Sequence, residues 1–370
     1  MFGTEVIVNK IGNAGKVYIV PPLKRTMTLG MNQFMFRSNK LSNNCFLYVY
    51  LTCKYGHLQL EQRITGAVPL SIDKESVKSV LVQCFEPSFQ DFISYLMEIC
   101  FKYAEASKRQ YREAENTLLS ELGLLSWKPK HRLSFVKNFS NAQASERIDA
   151  EYFQPKYDEV VDHIKQYKKS HRSLGEVVRV KDKNFQPKDE VTYRYIELAN
   201  ISANGNINRF IEVLGKELPT RARRKVNTGD VIVSTIEGAL SSVALINDDL
   251  DKALCSTGFF VINSEKINSE TLLVLLKSPV GQLQLKKGCP GTILTAIGDD
   301  EFKRIILPDL PTGIQNDIKK KITEMYDAKA LSKRLLDIAK RGVEMAIDKS
   351  EKDAQSWIDT ELKKLNVSLD

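Results

Sequence analysis

Gly56-His57-Leu58-Gln59-Leu60 and Gly281-Gln282-Leu283-Gln284-Leu285 are one five-residue pattern met twice, 225 positions apart (281 − 56). The same separation brings Gly66 onto Gly291, Ile72 onto Ile297, Lys78 onto Lys303, Gln90 onto Gln315 and Ile93 onto Ile318. Upstream, Glu5-Val6-Ile7-Val8 falls on Asp230-Val231-Ile232-Val233, and Phe34 on Phe259. Chance similarity does not hold one separation over so long a stretch, so the chain contains an internal duplication, read here without a gap.

Each copy has the same order of signals. Short β-rich runs come first, at residues 6–8, 17–20 and 34–36, matched by 231–233, 243–246 and 259–262. They are bounded by Gly, Asn and Ser, as strands joined by tight turns should be. A helical segment follows (45–60, or 270–285), then an apolar run (80–82, or 305–307). Each copy closes on a long helix beginning at Pro87 or Pro311, proline being suited to a first helical turn. Phe89, Ile93 and Leu96 open one apolar stripe; Ile314, Ile318, Ile322, Met325, Leu335 and Ile338 form the other. A 3–4 spacing gives a seam one stripe wide. Equivalent helices of two copies can therefore pack on each other as an antiparallel coiled coil with pseudo-twofold symmetry. The fold class expected is α+β, with two mixed globular segments alternating with two long helices. The segments are 1–86, a helix 87–126, a linker 127–147, a second globular segment 148–310 and a helix 311–370. The second copy has about 80 residues in front of Gly229 that the first lacks, so the first is expected to carry only its rear half. Its strand at residues 5–8 is expected to lack partners and the segment to be loosely ordered, or completed by another polypeptide.

Composition narrows the chemistry. The chain has 370 residues, 42% apolar and 27% charged, which supports packed cores and argues against disorder. Its 54 Lys and Arg against 46 Asp and Glu give a net +8, which permits a polyanionic partner. None of the six cysteines forms a CxxC pair and there are only four histidines, so no metal site is expected. The N-terminus shows neither a basic nor an apolar leader region, and the apolar runs are too short for a membrane span. A cytoplasmic protein is the expectation.

Three motifs invite catalytic readings and fail them. Gly12-Asn13-Ala14-Gly15-Lys16 resembles a phosphate loop, but Lys10 stands where the leading Gly is needed and Val17 where Ser or Thr is needed. Pro21-Pro22 lacks the Asn before and the aromatic after that an adenine-methyltransferase loop requires. Glu301-Phe302-Lys303 resembles half a nuclease motif, yet its repeat counterpart is Ser76-Val77-Lys78. His57, His131, His163 and His171 have no catalytic spacing. No catalytic residue is assigned.

A resemblance to a known family rests on Arg147-Ile148-Asp149-Ala150-Glu151-Tyr152-Phe153-Gln154-Pro155-Lys156-Tyr157. It also rests on Tyr195-Ile196-Glu197-Leu198-Ala199-Asn200-Ile201-Ser202, Gly229-Asp230-Val231-Ile232-Val233-Ser234-Thr235, Cys255-Ser256-Thr257-Gly258-Phe259 and Leu307-Pro308-Asp309-Leu310-Pro311. In their order and spacing these resemble the DNA-specificity (S) subunit of a type I restriction–modification system. The resemblance implies two target-recognition domains, each followed by a conserved long helix. It implies that each domain reads half of a bipartite site on double-stranded DNA. It further implies docking of two methyltransferase subunits and of restriction motor-nuclease subunits. S-adenosylmethionine, ATP and Mg would then sit on those partners, with no cofactor on this chain and no membrane. Two other readings stay open at this point: a type IIB-like system, and a coiled-coil scaffold that never meets DNA.

Under the resemblance, DNA-reading residues are sought among Lys, Arg, Asn and Gln in loops, since these side chains match guanine and adenine edges. In the first copy they are Asn9, Lys10, Asn13, Lys16, Arg25 and Arg63. In the second they are Lys181, Lys183, Asn184, Gln186, Arg194, Asn204, Asn206, Ser234, Thr235, Lys286 and Lys287. The basic run Arg221, Arg223, Arg224 and Lys225 is added as a set of phosphate contacts.

Overall fold

The computed structural model describes residues 3–22, 26–38, 42–167, 170–181, 183–202, 204–290 and 295–367. In chain order the first copy runs β1 (Val6–Asn9), β2 (Val17–Ile19), β3 (Gln33–Phe36), α1 (Asn44–Thr52), α2 (Lys54–Gln62), α3 (Lys74–Lys78) and α4 (Pro87–Glu121). Next come α5 (Phe139–Ser145), α6 (Pro155–Lys165), β4 (His171–Ser173), α7 (Leu174–Val177), β5 (Arg179–Val180), β6 (Thr192–Ile196), β7 (Ile211–Leu214) and β8 (Ala222–Lys225). The second copy follows as β9 (Val231–Ser234), β10 (Val243–Leu245), β11 (Leu254–Ser256), β12 (Phe259–Asn263), α8 (Ser269–Lys277), α9 (Pro279–Lys287) and α10 (Asp299–Lys303). The chain ends with β13 (Ile306–Pro308), α11 (Thr312–Asp348) and α12 (Glu351–Lys364). Two compact units result, Met1–Ser107 with Asp327–Asp370, and Lys108–Tyr326. No helix among the described residues is long and apolar enough to cross a membrane.

The duplication is physical. Helices α1, α2 and α3 begin and end 225 positions before α8, α9 and α10, and α4 starts 225 before α11. The sheet order β2-β1-β3 is repeated as β10-β9-β12. Even an isolated bridge recurs, Ile11 to Ser71 and Ile236 to Ala296. So does the helix cap: Asn43 accepts from Phe46 N at 2.7 Å, and Asn268 from Thr271 N at 2.8 Å. Each satisfies an otherwise orphaned N–H.

The gap-free register, however, needs correction. Val8 faces Val17 and Phe34, whereas Val233 faces Val243 and Phe260, so β2 and β3 are shifted by one against β10 and β12. The second copy has one residue more between its first two strands and one fewer before α8, which restores the separation of 225. Phe34 therefore corresponds to Phe260 and not to Phe259.

Four further expectations change. The helical segment 45–60 is two helices meeting at a corner on Cys53, as 270–285 is at Ser278. Strand β1 does not lack partners: it lies between β2 and β3 and its Val6 and Val8 are fully buried. Among the described residues the first copy has no equivalent of β4 to β8 or of β11. Strand β13 forms because β4 offers it a partner, while residues 80–82 form no strand. Finally, the long helices end early. Gly123 at φ +69° ends α4, with Leu124 N bonding back to Leu119 O at 2.7 Å. Helix α11 stops at Asp348, and the Ser350 hydroxyl caps a separate helix α12 by accepting from Asp353 N.

Each unit contains one half of both long helices, and in each the halves run antiparallel. In the second unit Tyr111, Ala114 and Leu118 share a core with Ile318, Ile322 and Met325, and Lys321 lies 3.3 Å from Glu113. In the first unit Phe89, Ile93, Leu96 and Cys100 share a core with Leu335 and Ile338, and the Ser332 hydroxyl bonds to Cys100 O at 2.9 Å. Within the first unit position 342 lies against Ile93 and Ser332 meets Cys100, and within the second Tyr326 acts on Tyr111 and Lys321 on Glu113: in each, one number falls as the other rises. Ile314 is half-buried at the edge of the stripe. Helix α12 covers the first unit's seam with Ala354, Ile358 and Leu362. Gly342 lets it close, since a Cβ there would sit 2.4 Å from Ile358 Cδ1.

The linker expected at 127–147 is pinned to the second unit. Arg132 and Gln154 exchange two hydrogen bonds of 3.0 and 2.9 Å, and Lys137 pairs with Asp158. Beneath the second sheet, Lys277 ends α8 in a buried position and donates to Ser241 O at 2.6 Å. Burial pushes its ammonium down to about 8 from the usual 10.5, with Glu115 of α4 opposing the shift. The folded chain therefore binds fewer protons than the unfolded chain between those values, and this group makes stability rise with pH across that window. The unfolding free energy of wild type minus that of Lys277→Met, followed by urea titration, should increase from pH 8 towards 10.5. A flat difference would mean that the ammonium is not desolvated.

Candidate nucleic-acid interface

Residues 181–228 hold ten Lys and Arg against six Asp and Glu, so half of the chain's net positive charge lies in this short span. With β11 from further along the chain they build the sheet β7-β6-β11-β8, in which β11 runs parallel to β6 and antiparallel to β8. One face carries Ile196, Val226 and Cys255 and packs with Ile232, Phe259 and Val261 of the neighbouring sheet. The opposite face carries Tyr195, Ala222 and Leu254, with Phe185, Tyr193 and Leu218 half-buried over them. Sheet-on-sheet packing thus fixes which face turns outward.

A strap at residues 183–188 lies along the outer edge of β8. Phe185 N donates to Arg223 O at 2.7 Å, and Lys188 N to Tyr193 Oη at 3.1 Å. The Phe185 ring meets Tyr193 edge-on at 5.8 Å, and Lys225 Nζ stands 5.2 Å over its centroid. With Phe185 turned inward, alternation turns Asn184 and Gln186 outward. Lys183, Asn184, Gln186, Lys188, Arg221 and Lys225 are exposed, and Arg223 is half-exposed. Arg and Lys flank an aromatic platform with Asn and Gln beside it, the donor and acceptor set that reads base edges and phosphates.

Strand β8 is irregular. Leu254 faces Lys225 and Cys255 faces Arg224, but Ser256 faces Ala222, leaving Arg223 as the extra residue of a β-bulge. The bulge brings Ala222 to the same face as Lys225 and leaves Arg223 re-aimed. Arg223 Nε donates to Thr220 O at 3.0 Å and its Nη1 to Gln186 Oε1 at 3.2 Å. Arg221 sits at the strand's start, 3.9 Å from Glu197.

The remaining sequence candidates fall elsewhere. Arg224 lies opposite Cys255 on the packed side, half-buried and with its Nη1 buried, turned away from its basic neighbours. Lys181 pairs at 2.7 Å with the carboxylate of Asp230, which is 2% exposed. It is a counter-ion for a buried charge. The first copy solves the same problem locally: Glu5, the counterpart of Asp230, is 3.2 Å from Arg37. Ser234 and Thr235 are buried; one hydroxyl accepts from Ile236 N and the other donates to Gly258 O. Asn206 is buried in a turn with Asn204, and Gly205 of that turn is packed by Leu273 and Val243. Lys286 and Lys287 are on α9 and not in a loop. Lys286 pairs with Glu237, and together with the Thr295 hydroxyl holds that carboxyl below the usual range. Lys287 pairs with Asp158 at 2.8 Å. Arg194 is on β6, bound to Glu212 and Asp249 O.

In the first unit, Asn9 accepts from Gln33 Nε2 at 3.1 Å and Lys16 stands 5.3 Å from the Tyr18 ring. Lys10 is half-buried and Asn13 exposed in the β1–β2 turn. Arg63 is spent internally, bonding Gln59 O, Ser79 O and the Ser79 hydroxyl. Arg25 lies outside the described residues. Lys188, exposed at the end of the strap where its backbone N–H bonds Tyr193 Oη, is a further candidate that the sequence reading did not include. No cluster of His, Cys, Asp and Glu able to hold a metal occurs among the described residues.

In class, this is a duplicated α+β protein with a basic, aromatic-backed sheet in its second unit. No family model and no curated protein matches the sequence. Solved structures do. The chain is similar to one from a study of complex assembly and conformational transition of the type I R-M system, with 28% identity and a TM-score of 0.37. It is equally similar in sequence, at 28% identity and a TM-score of 0.35, to the HsdS subunit from Thermoanaerobacter tengcongensis. Each of these matches covers 48% of this chain and 46% of the other, so under half of those proteins' length is spanned. The type I restriction–modification S subunit from M. genitalium matches over 99% of this chain and 83% of its own, at 13% identity and a TM-score of 0.38. Two of these structural neighbours are HsdS or S subunits by name, and two are named as parts of type I restriction–modification systems.

Proposed function

We propose that this chain is the DNA-specificity subunit of a type I restriction–modification system, a non-catalytic protein that binds a DNA sequence and brings partner methyltransferase and motor-nuclease subunits to it. The observation that carries the reading is the exposed strap and β8 edge, where Lys183, Arg221, Arg223 and Lys225 surround Phe185 with Asn184 and Gln186 alongside. Such a surface is built to meet a polyanion and to discriminate among base edges. The outward sides of α4 and α11 are the proposed docking surfaces for methyltransferase. S-adenosylmethionine, ATP and Mg are assigned to the partners. In this reading the second unit reads one half of a bipartite site.

The test is titration of the chain with duplex DNA of random sequence at several salt concentrations. Arg221 and Lys225 have exposed side chains, so Arg221→Gln with Lys225→Gln removes both charges without setting a new carboxylate beside Glu197 and should fold normally. The double variant should bind at least tenfold more weakly. The slope of log K against log salt should fall by about 2, as expected when two phosphate contacts are lost. Unchanged affinity and slope would remove this edge from the interface, and absence of DNA binding by wild type would remove the function.

A further inference from the structure

We propose that Arg223, aimed by the β-bulge and held in plane by Gln186, reads a guanine in the major groove. This rests on the DNA-recognition reading above and goes beyond it by assigning one base to one side chain.

The backbone supplies the aim. Without the bulge, residues 222 and 224 would share a face and Arg223 would alternate with them in the ordinary pleat. The register shift between Cys255 and Ser256 instead leaves Arg223 unpaired in β8, with its carbonyl turned to Phe185 N. A bulge of this kind costs ladder pairing and gains a side-chain direction that a regular strand cannot offer.

The side chain is then fixed by two acceptors. Nε is committed to Thr220 O and one N–H of Nη1 to Gln186 Oε1. Of five guanidinium N–H groups, three remain, both of those on Nη2 among them. The Gln186 amide, with its oxygen used, presents its two N–H groups. Fixing the plane of a guanidinium in advance is not needed for a phosphate, which accepts from many directions: a free fork such as Arg221 can meet it bidentately and Lys225 can meet it as a point charge. It serves a base edge, where two acceptors must be met in one plane.

Guanine is the base whose major-groove edge offers two acceptors side by side, O6 and N7. Adenine sets an amino donor next to its N7, and cytosine presents an amino donor; both repel an Arg that can only donate. Thymine offers one acceptor beside a methyl group. The arrangement therefore selects guanine by attraction and rejects the other purine by donor–donor conflict.

The experiment is enrichment of bound sequences from a randomised duplex library by wild type, Arg223→Lys and Gln186→Ala. Wild type should enrich a motif containing an invariant guanine. Arg223→Lys keeps the charge but loses the planar fork. It should lose at least tenfold of the discrimination at that one position, with the other positions and the affinity for random DNA within threefold of wild type. Gln186→Ala should weaken the same position in the same direction. A motif unchanged at every position in Arg223→Lys, with affinity lowered uniformly, would make Arg223 a phosphate contact and overturn the assignment. A wild-type motif with no guanine would overturn it too. Failure of wild type to bind any duplex is a different result, and overturns the recognition function together with this assignment.

Discussion

Gly281→Ala should destabilise the second unit by about 3 kcal/mol, the upper end for forcing one extra carbon into a packed interior. The glycine has no left-handed backbone to lose; the cost is steric. A Cβ at this position would lie 2.5 Å from Leu276 Cα, 2.6 Å from Leu275 O and 2.7 Å from Leu276 O. All three are backbone atoms of the preceding helix α8, whose Leu272 to Leu276 are fully buried, so nothing flexible can move aside. The two helices turn on Ser278 so tightly that only a residue without a side chain fits in the first turn of α9. Over a unit of this size the expected drop in Tm is roughly 6–12 °C. Gly313→Ala, in the first turn of α11, is the control, because a Cβ there meets nothing within 4 Å. Replacing an exposed glycine at such a compatible position should stabilise by about 0.5 kcal/mol. Equal effects for the two variants in thermal unfolding would show that the corner has room to open. Gly56→Ala should repeat the loss in the first unit, where the Cβ would be 2.1 Å from Tyr50 O.

That glycine pair is also what made the duplication legible, since a residue demanded by backbone contact cannot be exchanged for a neighbour in size. The long helices were legible for a related reason: their apolar stripes run for several turns, long enough for a 3.6-residue period to stand out. The strands were not. Runs of three or four residues hold barely two periods of alternation, so the slip of β2 and β3 by one left no trace, and the match of Phe34 to Phe259 concealed it. The corner at Cys53 was invisible because one non-helical residue joins the two helices with no Gly or Pro beside it; in the second copy Pro279, just after Ser278, was the available signal. The strand at 306–308 and the coil at 80–82 have similar composition; the difference is β4, a partner many residues away.

The candidate interface was legible in residue types and illegible in direction. Arg221, Arg223, Arg224 and Lys225 form one basic run in the sequence. The bulge separates them into an outward group and an inward Arg224, and no pattern in ARRK announces a bulge. Ser234, Thr235 and Asn206 share the polar vocabulary of binding loops, yet their hydrogen bonds close turns inside the fold. The role of Lys181 did have a signal. An acid opens an otherwise apolar strand in both copies, Glu5 before Val6 and Asp230 before Val231, and a buried carboxylate demands a cation. In the second copy the front segment provides Lys181, while in the first Arg37 is recruited from the end of β3.

Ile318→Asp should cost the second unit about 4 kcal/mol or more at neutral pH, against the roughly 5–15 kcal/mol that holds an ordinary domain together. Ile318 is fully buried between α4 and α11, in one core with Ala114, Leu118 and Ile322. The cation one turn on, Lys321, is already paired with Glu113, so the unit must either open the seam or keep the new group protonated. Ile318→Val removes one methylene at the same place and should cost about 1 kcal/mol, which separates lost volume from buried charge. The pH dependence is the sharper check. In the folded variant desolvation raises the new carboxyl above its unfolded value near 3.9, so the folded state holds a proton that the unfolded state releases. Its stability then falls as pH rises from about 4, and the cost relative to wild type grows over that range. Ile318→Asn carries no titrating group, and its cost relative to wild type should stay flat across the same range. Urea unfolding of the three variants from pH 4 to 7 gives both comparisons. If the Asp and Asn variants run parallel, the site admits water and the two helices do not form a closed seam.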